Sequence, residues 1–364
     1  MLQRLYVHNF RCLENFELKL KDMPYSLLIG KNGSGKSTVA AALEIFQHIG
    51  RGINRVSQLV QAKDFAYSRT NLPMRFEIEV ILSNSAYHYT LALELPENFK
   101  ELRIVEEQLL VDGSTVFSRE QAQVYLSKSA QFLVDWHLIA LPLIQERSST
   151  DPLYIFKTWL SQMVILAPIP SLMTGNSSGE TLQPKRDATN LGEWLTGLLG
   201  QYPSAYNTIF NYLVDVMPDS CEFRNEPIGR DAKNLIVFFS QDRANFSLNF
   251  EDMSDGEKCF FLCAVVLAAN KAYGPLFCFW DEPDNFLTLA EVGYFAQALQ
   301  RHFKNSGQLI VSSHNPEAIR KFSKENTWLL DRKSHLEPTL IKLLEDIQVN
   351  GDLINALICG DLRL

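Results

Sequence analysis

Gly30-Lys31-Asn32-Gly33-Ser34-Gly35-Lys36-Ser37-Thr38 follows the apolar run Ser26-Leu27-Leu28-Ile29 and leads into residues 39–48, whose apolar side chains recur at helical spacing. The segment fits G-x-x-x-x-G-K-[ST], the strand-to-helix turn that cradles phosphates. Its glycines let successive backbone N–H groups point inward at phosphate oxygens, where side chains would block the approach. Lys36 then supplies a point charge for β- and γ-phosphates, and the Ser37 hydroxyl is placed to hold Mg²⁺. The helix that starts here adds its partial positive charge. An ordinary Gly-rich turn shares the composition, but not the strand before it and the helix after it. The segment therefore reads as a nucleoside triphosphate site, with Asn32, Gly33, Ser34, Gly35, Lys36, Ser37 and Thr38 as nucleotide-binding candidates.

Three later segments carry matching chemistry. Gly274-Pro275-Leu276-Phe277-Cys278-Phe279-Trp280-Asp281-Glu282-Pro283 reads as a buried apolar strand ending in two acids. Such a strand delivers its terminal carboxylates to the sheet edge where ligands bind in open α/β folds. Asp281 is then the metal candidate and Glu282 the residue to orient and deprotonate water. Met253-Ser254-Asp255-Gly256-Glu257-Lys258 precedes a long apolar helix. Ser254 to Glu257 fits a capping box, and a capped helix start is also an anion-binding device. His314 follows the strand-like run Gln308-Leu309-Ile310-Val311-Ser312-Ser313, on the same kind of edge as Asp281. Its imidazole is a candidate donor to the γ-phosphate; the other six histidines carry no such context.

The rest of the chain sets bounds. Its 364 residues, 46% hydrophobic and 21% charged, suit a globular protein with a sizeable core. A formal net charge of −8 disfavours broad attachment to nucleic acid or an anionic membrane. No run is long enough to span a bilayer, and the start lacks the layout of a secretory signal, which implies a cytoplasmic protein. The six cysteines show no zinc-ligand spacing and read as buried, reduced thiols.

Strands are expected at 2–8, 16–20 and 25–29, a polar loop with little fixed structure at 50–72, and an antiparallel insertion of strands at 74–82, 88–95, 102–111 and 115–118. Asp112-Gly113 is its hairpin turn signal. Residues 119–164 read as mainly helical, 174–180 as a flexible Gly/Ser/Asn joint, 190–217 as helical, and 235–240 and 246–250 as strands.

The order phosphate loop, Ser254-Asp255-Gly256-Glu257, Asp281-Glu282, then His314 resembles the ABC-type ATPase heads of the SMC/RecF-like branch. Ser254 to Lys258 match that branch's signature, and Asn9-Phe10-Arg11 resembles its N-terminal signature, where the arginine contacts nucleotide. Within the branch the chain looks most like compact bacterial relatives of the overcoming-lysogenisation-defect ATPases. The resemblance implies an α/β P-loop NTPase of ABC-ATPase type, a mixed core sheet flanked by helices, with an antiparallel β insertion and a short helical lobe. One domain over 1–345 is implied, with lobes 1–118, 119–217 and 218–345 and a tail at 346–364. ATP and Mg²⁺ are the implied cofactors, and Arg11 is a further nucleotide ligand. The implied catalytic residues are Lys36, Glu282 and His314, with Ser37 and Asp281 on the metal. Ser254, Asp255, Gly256 and Glu257 would act in trans across an ATP-bridged homodimer. Asp284 and Asn285 take the place of the loop that speaks across that dimer, and Gln162 is the best match to the Q-loop glutamine. Two roles follow: a switch acting on a separately encoded effector in phage defence, or an ATPase acting directly on DNA in repair or recombination.

Overall fold

The computed structural model describes residues 1–126, 130–242 and 244–347; the expected tail lies, from residue 348 on, outside the described residues. Two compact units divide the chain, and the division falls inside one strand. Unit 1 comprises Met1–Met23, Leu28–Met163 and the chain from Lys324, and unit 2 Pro24–Leu27 with Val164–Ser323.

Unit 1 opens with β1 (Leu2–His8) and β2 (Phe16–Lys19); β3 (Tyr25–Ile29), which the division cuts after Leu27, leads to α1 (Lys36–Gly50) and the single turn α2 (Val56–Leu59). Then come β4 (Met74–Leu82), β5 (Ser85–Glu94), β6 (Arg103–Val111), β7 (Ser114–Glu120), β8 (Gln123–Leu126), β9 (Gln131–Leu133) and α3 (Pro152–Ser161). All but β3 of these strands form one antiparallel sheet, ordered β2-β1-β4-β5-β6-β7-β8-β9. Alternation puts Phe76, Ile78, Tyr89 and Leu91 on its buried face. Phe46 of α1 meets Phe76 and Tyr89 edge-on, and Phe156 of α3 stacks on Tyr87. The Asp112-Gly113 turn has both residues at positive φ, 48° and 76°, as a two-residue hairpin requires.

Two expectations for unit 1 need correction. Residues 50–72 are ordered: Val56, Val60, Phe65 and Ala66 are buried, and Asn9 Nδ2 donates to Arg69 O and Leu72 O. Residues 119–164 are not mainly helical. β8 and β9 extend the sheet, and α3 is the one α-helix among the described residues of that range. The composition is helical, yet β7 offers an open edge whose hydrogen bonds outweigh local preference. The segment after β9 is pinned by a buried pair. Glu107 accepts from Ala140 N at 2.7 Å and Leu141 N at 2.8 Å, while Arg119 donates to Asp135 O at 2.8 Å. Both side chains are fully buried, so these bonds are what makes their charges tolerable.

In unit 2, β10 (Val164–Leu166), α4 (Leu191–Gln201) and α5 (Ala205–Val216) precede the three-stranded antiparallel sheet β11 (Ser220–Ile228), β12 (Ala232–Gln241) and β13 (Ala244–Asn249). There follow α6 (Asp255–Tyr273), β14 (Phe277–Asp281), α7 (Leu289–Asn305), β15 (Gln308–Ser312) and α8 (Pro316–Lys321). β14 lies parallel between β10 and β15, and β3 neighbours β15. Helix α6 is buried on every side from Lys258 to Asn270, as an apolar run without a polar face demands. Phe261 on it meets Phe223 and Phe250. The expected joint at 174–180 is instead a fixed crossing. A Cβ at Gly175 would stand 2.7 Å from the Cβ atoms of Leu235 and Phe250, and Glu251 accepts from Thr174 Oγ1 and Gly175 N.

The chain returns to unit 1 with β16 (Thr327–Asp331), the neighbour of β3, and β17 (Leu340–Leu343), antiparallel to β16.

Candidate functional site

The phosphate loop belongs to unit 1 and occupies the turn from β3 to α1. Gly30, Gly33 and Gly35 hold φ of 151°, 79° and 105°, values that side-chain-bearing residues adopt only under strain. Gly35 caps α1 without a side-chain hydrogen bond, and no acid lies in the first turn, so its N-terminal positive potential is uncancelled locally. The Lys36 side chain folds back over the loop, donating to Gly30 O at 2.8 Å and Lys31 O at 3.3 Å. Ser34 Oγ is buried with no hydrogen-bond partner, and Ser37 is exposed. An orphaned hydroxyl, an ammonium parked on carbonyls and an open helix start fit a phosphate chain with its cation.

The loop is braced from behind by residues the sequence did not single out. Thr339 Oγ1 donates to Ser34 O at 2.9 Å, and a Cβ on Gly35 would lie 2.7 Å from Thr339 Oγ1 and 3.1 Å from Cys12 Sγ. At Gly30 it would lie 2.2 Å from Leu330 O, whereas at Gly33 it would meet nothing within 4 Å. Gly30→Ala is therefore expected to destabilise the fold by about 3 kcal/mol and to abolish nucleotide binding. Gly33→Ala should cost only the strain of its φ, about 1 kcal/mol. Urea unfolding of the two variants checks the difference.

The acidic site belongs to unit 2. β14 and β15 run parallel in register, with Asp281 opposite Ser312, so both strands end at one edge. Ser312 Oγ donates to Asp281 Oδ1, and the other carboxylate oxygen stands 4.0 Å from Arg186 Nη2. Glu282 has φ 48°, an unusual value for a non-glycine residue, and its N–H is held by Ser312. Its side chain is gripped from both sides. Asn285 Nδ2 donates to one oxygen at 2.9 Å, and His314 Nδ1 lies 3.3 Å from the other. The fold thus brings Asp281, Glu282 and His314 together, with Asn285 beside them. Asp284 does not point outward. It is buried, accepts from Ser313 Oγ at 2.7 Å, and burial pushes its carboxyl pKa up.

The signature segment opens α6. Ser254 Oγ accepts from Glu257 N at 3.3 Å and Glu257 Oε2 from Ser254 N at 2.8 Å, a complete capping box. A Cβ at Gly256 would come 3.1 Å from Phe286 O, so any larger residue would make the 282–287 turn give by a few tenths of an ångström. Burial pushes the Cys259 and Cys263 thiols up to about 12, and both are free cysteines, consistent with inert core positions. Cys359 lies outside the described residues.

Arg11, also in unit 1, has its Nε 2.9 Å from Asp64 Oδ1 and its guanidinium over the Phe10 ring. Gln162 does not occupy a Q-loop position. It ends α3 ahead of the amino end of β10, whereas a ligand-facing residue belongs after the carboxyl end of such a strand. Among the described residues no helix is long and apolar enough to cross a membrane.

Comparison with known proteins agrees with this geometry. The family described as the RecF/RecN/SMC N terminal domain matches residues 1–335. Over 45 residues the chain is 47% identical to the OLD nuclease of Thermus scotoductus; the match spans 12% of this chain and only 8% of that protein's length. An SMC head solved with the C-terminal winged-helix domain of ScpA superposes with a TM-score of 0.59 at 14% identity, covering 95% of this chain and 98% of the other. An Smc head with an extended coiled coil, solved with the C-terminal domain of ScpA derived from Pyrococcus furiosus, gives 0.54 at 12% identity over 95% and 97% of the two chains. At such identities the likeness is one of fold. The phosphate loop, the acid pair and a family match over nearly its whole length agree: the chain belongs to the RecF/RecN/SMC N-terminal domain family and has the fold of an SMC/RecF-type ATPase head.

Proposed function

We propose that the chain binds ATP with Mg²⁺, hydrolyses it, and uses the bound nucleotide to hold two copies head to tail. The observation that carries this reading is the phosphate loop: three left-handed glycines around Lys36 at the uncancelled start of α1. In this reading Lys36 exchanges two loop carbonyls for phosphate oxygens, with Asn32 to Thr38 donating around it and Arg11 as a further ligand. Ser37 and Asp281 would hold Mg²⁺, and the ion, when bound, neutralises charge on the phosphates. Glu282 takes the proton of the attacking water, and His314, whose Nδ1 lies 3.3 Å from the Glu282 carboxylate, donates toward the terminal phosphate.

Ser254, exposed at the head of α6, reaches the nucleotide of the partner copy, with Asp255, Gly256 and Glu257 shaping that helix start. Ser254→Ala should cost about 1 kcal/mol through the lost cap. Ser254→Arg should leave ATP binding by each copy's own loop intact while keeping the protein monomeric with ATP. Light scattering across a sizing column measures this, and an unchanged dimer would refute the trans contact.

For the biological role, the net charge of −8 favours a switch on a separately encoded effector, in phage defence, over direct action on DNA. Steeply salt-dependent DNA binding would instead support action on DNA.

A further inference from the structure

Arg186 lies in none of the segments used so far, yet the fold fixes it beside the acidic strand end. β10 pairs in parallel register with β14, Leu166 opposite Trp280, so Ala167 is level with Asp281. Ala167 N donates to Arg186 O at 2.7 Å and Ile169 N to Asp187 O at 3.1 Å. The 183–190 turn is stapled from within. Asn190 Oδ1 accepts from Lys185 N, Asn190 Nδ2 donates to Gln183 O, and Asp187 Oδ1 accepts from Thr189. The backbone thus holds Arg186 at the level of Asp281, and its guanidinium faces Asp281 Oδ2 at 4.0 Å. The other oxygen, Oδ1, is engaged by Ser312. Asp281 is nearly buried, with 9% of its side chain exposed against 32% for Arg186. A buried carboxylate needs a counter-charge, and the structure supplies it from a turn anchored by main-chain bonds.

We infer that Arg186 is the resident counter-cation of Asp281, occupying the electrostatic place of the metal until nucleotide and metal bind, and so sets the metal affinity of the site. This rests on the ATP reading above, because it assigns Asp281 to the metal. A divalent cation arriving at Asp281 must displace or repel the guanidinium, so the two positive charges compete for one carboxylate. Loading the site then pushes on the 183–190 turn that leads directly into α4. A lysine at 186 would keep the charge, whereas alanine or glutamine would remove it. The carbonyl that pairs with Ala167 belongs to the backbone and survives each of these changes.

The test is a Mn²⁺ titration followed by electron paramagnetic resonance, on the full chain with a non-hydrolysable ATP analogue. Arg186→Ala should bind Mn²⁺ about three- to fivefold tighter than wild type. Arg186→Gln should show the same gain, which guards against a folding defect in the alanine variant, and Arg186→Lys should stay near wild type. The gain should vanish in an Asp281→Asn background. Equal or weaker Mn²⁺ binding by both charge-removing variants would overturn the inference while leaving the ATP reading standing. A wild-type protein that binds the analogue neither with nor without Mn²⁺ would remove both.

Discussion

Glu282→Gln is expected to slow phosphate release by about 10²- to 10⁴-fold while leaving ATP binding in place. The amide keeps the size of the side chain and its contact with Asn285, but it cannot accept a proton. Nothing in the phosphate loop changes, so nucleotide affinity should stay within about twofold. In the proposed cycle hydrolysis ends the ATP-bound state, so this variant should accumulate as a dimer with ATP and remain monomeric without it. Phosphate release and light scattering on one preparation measure both. Wild-type turnover in Glu282→Gln would remove Glu282 as the base. The backbone adds a second reason to expect a local effect. Glu282 is held at φ 48° by Ser312, a conformation costing about 1 kcal/mol that the surrounding strands must sustain.

Lys36→Ala should raise the dissociation constant for ATP by about 100-fold, close to 3 kcal/mol, by removing a charge-assisted bond to phosphate. The loss in the free protein is smaller, since the bonds from Lys36 to the loop go to neutral carbonyls, Gly30 O and Lys31 O. Lys36→Met, which keeps the aliphatic stem, should behave the same way and exclude a packing artefact. Fluorescent-nucleotide titration measures both variants. Binding at wild-type affinity would mean that the loop does not cradle phosphate, whatever its glycines suggest.

These two experiments probe different units of the chain. Lys36 reports on unit 1 and Glu282 on unit 2, so loss of binding and loss of turnover are read from separate parts of the chain.

Several elements were legible in the sequence because their causes are local. β1, β3 and the Asp112-Gly113 hairpin follow from alternation and turn chemistry within a few residues. Residues 119–164 were not legible, since β8 and β9 form only because β7 offers an edge, and edges belong to the fold rather than to the segment. The Gly/Ser/Asn stretch at 174–180 misled for a related reason. Gly175 is there for close approach to Leu235 and Phe250, not for freedom of movement.

By itself the sequence determined the chemistry: a glycine-spaced loop ending in Lys36-Ser37, an acid pair closing an apolar strand, a capped helix start and a histidine after a second strand. Those signals are short, and each depends on neighbours within a turn or a strand. Only the tertiary structure decided what stands beside them: Thr339 behind Gly35, Ser312 and Arg186 on either oxygen of Asp281, and Asn285 with His314 on Glu282. Parallel register brings Arg186 level with a residue 95 positions later in the chain. Register is a long-range property, fixed by which strands pair, and no window of sequence around Arg186 contains it.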